Sequence, residues 1–139
     1  MDLETIGAAD FGRSLTGLGL NLLCRDVRGM AGFLEGVFGL GIHRLSDDFA
    51  LARHGAVLIQ LHSDATFARH PLHDLLPETP PRGAGAQFYL FGIDPDTAVL
   101  RAEDHGGMVI EPPANKPHGL REATILSPEG YAFSPALPS

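Results

Sequence analysis

The side chains best equipped for chemistry in this 139-residue chain are seven histidines, one cysteine and a set of amides and hydroxyls placed on apolar runs. Gln60 and His62 stand two apart in VLIQLH, so on an extended strand an amide and an imidazole project from the same face. Asn21 in GLGLNLLC, Gln87, Tyr89 and Phe91 in QFYLF, and Ser134 in YAFSPA have matching strand parity. Together with Leu58 they have the make-up of a small-ligand pocket, a few convergent polar groups against apolar wall. His118 and Arg121 fall in HGLRE, where an imidazole that can stack or titrate near neutral pH precedes a guanidinium. Glu122, next in line, reads as a structural residue at a strand edge. His70 and His73 have the i, i+3 spacing of helical metal ligands, but Pro71 between them disfavours a regular helix. His43, His54 and His105 read as exposed strand, turn and helix-end residues. Cys24, although beside Arg25, reads as core filler rather than a reactive thiol. No phosphate-cradling glycine loop, nucleophile elbow or zinc motif is present.

The elements that must position these groups follow from periodicity. Leu18–Cys24 is apolar apart from Asn21 and predicts a strand; Asp26 stands where a helix N-cap belongs. Val27, Met30, Ala31, Leu34, Val37 and Phe38 form one apolar stripe at helical spacing, and Gly39 and Gly41 stop the helix. Strands are expected at Ile42–Leu45, Phe49–Arg53 and Val57–His62. In the last, Val57, Ile59 and Leu61 form the face that packs on the helix. Residues 63–85, rich in proline and glycine, predict a linker with a helical turn near Leu72–Leu76. The pattern then restarts. Gln87–Ile93 is a strand, Asp94 an N-cap and Pro95 a first-turn residue; a helix through Ala98, Val99 and Ala102 ends at Gly106-Gly107. Met108–Glu111, Arg121–Leu126 and Tyr131–Ala136 supply three more strands. The spacing from Asp26 to Gly39 equals that from Asp94 to Gly107, which marks a duplicated module. Residues 1–16 show no periodicity and read as a lead-in arm.

The expected architecture is therefore α+β: a single domain of two βαβββ modules, about 17–62 and 86–138, whose curved sheets flank a central cleft. Gly29, Gly32 and Gly36 lie on the helix face opposite the apolar stripe and would admit another backbone, that of a second subunit or of the arm. The net charge of −7 argues against nucleic acid, which needs clustered Lys and Arg, and is compatible with a cationic ligand. A single cysteine excludes an intramolecular disulfide. The absence of a membrane-length apolar run or a basic-then-apolar leader gives a cytoplasmic expectation.

The stretches GLGLNLLCRDVRGMAGFLEGVFGLGI and KPHGLREATILSPEGYAF resemble the first strand and helix and the closing strands of the vicinal-oxygen-chelate superfamily, which includes glyoxalases, bleomycin-resistance proteins and dioxygenases. The resemblance spans roughly residues 17 to 138. It implies a pair of βαβββ modules, a homodimer and a cleft that in the enzymes holds a divalent metal on His, Gln and Glu side chains. Transferred one by one, those ligand positions fall on Gly19, Gln60 (with His62 two residues on), near Gln87, and Ser134. A set without a carboxylate does not offset a metal's charge, so His62 and Gln87 are its weak candidates and no cofactor is favoured. The resemblance is nearest to bleomycin-resistance-type members, which implies sequestration of an antibiotic or metabolite without metal through Asn21, Gln60, His62, Gln87, Tyr89, Phe91, His118, Arg121 and Ser134. The alternative is a metal-dependent lyase, isomerase or dioxygenase.

Overall fold

The computed structural model describes residues 1–139. The lead-in arm contains a short helix, α1 (Ala8–Ser14). The first module follows as β1 (Leu20–Cys24), α2 (Val27–Phe38), β2 (Gly41–His43), β3 (Phe49–His54) and β4 (Val57–Ser63). The second is β5 (Gly83–Phe91), α3 (Pro95–Arg101), β6 (Met108–Asn115), β7 (Leu120–Leu126) and β8 (Tyr131–Pro138). The linker carries 3₁₀ turns at Asp64–Phe67 and His73–Leu75.

Each module forms a four-stranded sheet, in the orders β1-β4-β3-β2 and β5-β8-β7-β6. The first and last strands of each pair in parallel and the other neighbours are antiparallel. Leu20–Cys24 and Gly83–Phe91 thus occupy equivalent places, as the repeated pattern predicts. The helix caps repeat as well. Asp26 accepts from Gly29 N at 3.0 Å, and Asp94 accepts from Asp96 N at 3.0 Å and from the Thr97 hydroxyl at 2.9 Å. Gly39 ends α2 in the left-handed region at φ 71°, where a side chain would be strained.

The core lies between the modules. One apolar cluster joins Leu22, Cys24, Ala50, Ala52, Ile59 and Leu61 of the first sheet with Leu90, Ile125 and Phe133 of the second. α2 is the shared wall. Phe33 and Phe38 lie 6.0 and 5.7 Å from the Phe133 ring on β8, and 5.3 Å from each other. Because both sheets back onto the helices in this way, the opposite sheet faces do not close on one another within one chain.

Close approach at the α2 glycines is supplied from inside the chain. A methyl group on Gly36 would collide with the His105 ring, and one on Gly29 would meet the Asp26 cap, whereas Gly32 has open space. Of the three, Gly36 is thus approached by a side chain of the chain itself, and Gly32 by nothing within 4 Å. The linker is fixed at both ends. Arg82 makes a two-pronged ion pair with Asp64 at 2.6 and 2.7 Å, and Arg82 N donates to Glu129 O at 3.2 Å.

Candidate functional site

On the first sheet, the residues of matching parity do come together. The β1–β4 register sets Asn21 opposite Gln60 and Leu23 opposite His62. His62 Nδ1 and Asn21 Oδ1 are 2.6 Å apart, and the imidazole is held edge-on between Phe49 at 4.9 Å and Phe67 at 5.6 Å. Burial holds its pKa below the usual imidazole value, which favours the neutral ring. A neutral ring whose Nδ1–H donates to Asn21 presents Nε2 as an acceptor. Gln60, opposite Asn21 in the ladder, also lines a cavity beneath α1.

The second sheet carries a richer group. Its outward face sets Ala132, Ser134 and Ala136 of β8 beside Gln87, Tyr89 and Phe91 of β5. Gln87 Nε2 donates to the Ser134 hydroxyl at 2.8 Å, and Thr124 lies 3.3 Å from the same oxygen. Tyr89 and Phe91 stack with centroids 5.2 Å apart. Ser134 is fully buried, while Phe91 remains 59% exposed.

Glu122, read from the sequence as structural, stands on this face opposite Ala136 and is only 3% exposed. Its Oε1 is 2.7 Å from His118 Nε2, and the facing carboxylate favours the protonated phenol of Tyr89, raising that pKa. Arg121 is turned the other way, to Asp96 of α3 at 2.7 and 2.8 Å and to Asn115. Strand alternation explains the exchange, since neighbours on a strand cannot share a face. That alternation, applied to LREATIL with Ala123 and Ile125 inward to the core, is the signal that would have found Glu122 and Thr124.

None of the main surface cavities is lined by residues of both faces. The transferred metal positions are likewise dispersed. Gly19 offers no side chain, Gln60 is under the arm, and Gln87 and Ser134 are bonded to each other. These residues do not compose a donor set for a divalent ion. Cys24 is buried, and burial pushes its thiol pKa well up, which suits inert packing.

No family sequence model and no curated protein sequence matches the chain. Solved structures do. A glyoxalase/bleomycin resistance protein/dioxygenase family enzyme from Burkholderia phytofirmans superposes with a TM-score of 0.71 at 19% identity, covering 86% of this chain and 96% of that one. A glyoxalase/bleomycin resistance protein/dioxygenase from Nocardioides gives 0.65 at 20% identity, covering 94% and 91%. A hypothetical protein from Staphylococcus aureus gives 0.70 at 19% identity, covering 92% and 98%. The chain therefore has the two-module fold of the glyoxalase/bleomycin-resistance/dioxygenase proteins, the vicinal-oxygen-chelate fold expected from its first and last strands. No helix is long and apolar enough to cross a membrane.

Proposed function

We propose that this is a small-molecule-binding protein that sequesters an antibiotic or metabolite, without a metal, on the outward face of its second module. The observation that carries the reading is the arrangement over β8. The stacked Tyr89–Phe91 pair offers an aromatic wall, and Gln87, Thr124, Ser134 and Glu122 stand beside it on the same sheet face as hydrogen-bonding groups of both senses. A buried carboxylate beside an aromatic wall suits an aromatic ligand bearing a donor or a positive charge.

Apolar side chains remain in water: Leu18 is 88% exposed, Met108 62% and Ile110 53%. Exposed apolar Met108 and Ile110 on the β6 edge favour a homodimer in which a second copy covers them. Light scattering should give twice 14.8 kDa at micromolar concentration, and a monomer would remove this part of the reading.

The binding test is a thermal-shift screen of aromatic compounds on chelator-treated protein, followed by calorimetry. Binding should survive chelation and weaken by about 1–3 kcal/mol in Gln87→Ala, where a buried hydrogen-bond partner is lost. The same measurement on His62→Ala reports whether the first face joins the same site. Binding or turnover that appears only after a divalent metal is restored would overturn the proposal in favour of a metal-dependent enzyme.

A further inference from the structure

The first module's outward face, unlike the second's, is roofed. The arm runs across it, and α1 sets Ala8 and Phe11 over Phe49, Leu51 and Gln60. A cavity of about 270 Å³ remains between them, lined by those five residues and Arg44. Three of the six are apolar and bulky, and Arg44 is the sole charged member.

Arg44 has two unusual properties. It is the only non-glycine residue of the chain in the left-handed region, at φ 54°. A side chain is held there only where its surroundings fix it, and here the fixing contacts are to the arm. Its Nε donates to Leu3 O at 2.6 Å, its Nη2 to Ile6 O, and its main-chain N to Glu4 Oε1 at 3.0 Å. Leu3 is buried, and the Glu4 carboxylate is further engaged by His43 Nδ1 at 3.3 Å. The guanidinium thus donates to main-chain carbonyls, and Nη1 has no protein acceptor. An apolar cavity with one arginine whose guanidinium forms no ion pair, the Glu4 carboxylate being engaged by Arg44 main-chain N and His43, and one amide, matches a particular ligand shape.

We propose that this cavity is a lidded binding site for a one-ring aromatic carboxylate, with α1 as the lid and Arg44 as both latch and anion anchor. The ring sits among Phe11, Phe49 and Leu51, the carboxylate meets Arg44 Nη1, and Gln60 donates to the same carboxylate. The volume suits such a compound, since an apolar hole of roughly 150 Å³ already admits benzene. The site is on the other module from the one proposed above, so each can fail alone.

The probe is phenylacetate, titrated into the full-length 15N-labelled protein at millimolar concentration. Saturable chemical-shift changes are expected at Phe11, Phe49, Leu51 and the Arg44 side-chain Nε. Phenylacetamide, the neutral analogue, should bind about tenfold more weakly, the cost of exchanging a charge-assisted for a neutral hydrogen bond. Ala8→Trp, an exposed lid position whose new ring would fill the cavity, should abolish the changes while leaving the rest of the spectrum in place. Absence of saturation, changes confined to Gln87 and Tyr89, or equal binding of acid and amide would each overturn the proposal.

Discussion

Glu129 and His54 occupy equivalent turns, between the third and fourth strands of their modules, and each reaches across to the strand–helix junction of the other module. Glu129 is 1% exposed and accepts from Arg25 N at 2.9 Å, Asp26 N at 3.0 Å and Arg25 Nε at 3.3 Å. His54 makes one contact, Nε2 to Phe91 O at 2.8 Å, and is half-buried. The repeat has preserved the reciprocal clasp and changed its strength. The same asymmetry runs through the rest of the molecule: the long, buried α2 serves both sheets while the shorter α3 serves mainly its own, and the arm covers one outward face and leaves the other open. Duplication fixed the topology, and the modules then diverged into one that anchors and one that presents its polar groups.

The largest expected effect comes from cutting the stronger clasp. Glu129→Ala should lower unfolding free energy by about 2–4 kcal/mol, because two main-chain donors and a guanidinium lose a buried acceptor. His54→Ala should cost less than about 1 kcal/mol in the same urea titration. Equal losses would erase the distinction between the two turns.

Next comes Tyr131, whose buried hydroxyl donates to Leu23 O at 2.7 Å and so ties β8 to β1 across the module boundary. Tyr131→Phe should cost about 0.5–1.5 kcal/mol. Burial pushes this phenol up to about 12 from an ordinary 10.0. The folded state therefore prefers the neutral form, so the contribution is complete below pH 10 and is lost as pH rises from there through 12. Alkaline destabilisation measured over that interval should be shallower in Tyr131→Phe than in the parent.

The smallest change is expected on α2, whose glycines α3 lacks. Gly32 has nothing within 4 Å of an added methyl, so Gly32→Ala should stabilise by up to about 1 kcal/mol. Gly36→Ala, which displaces the His105 ring, should gain less or lose. A thermal melt in which both variants behave alike would show that His105 does not hold its place against α2.

Much of this molecule is written in local pattern. Asp26 and Asp94 as caps, Gly39 as a helix stop, and the alternation that puts Gln60 with His62, or Gln87 with Tyr89, on one face of a strand are read from neighbours within a few residues, because capping and pleating are short-range geometry. Other features depend on distant partners. Residues 1–16 carry no periodicity, and α1 has no buried residue; its place is set by Arg44, far along the chain. Glu122 reads as a structural strand-edge residue in sequence, and the partners that surround the buried Glu122 and Glu129 carboxylates, His118 for one and Arg25 and Asp26 for the other, are brought to them only by the packed chain. Whether the two sheets face each other depends on α2 packing Phe33 and Phe38 against β8 of the other module, a contact between residues about a hundred positions apart. Periodicity specifies which face of each element is apolar, but not which other apolar face will cover it, and that choice was made only when the whole chain packed.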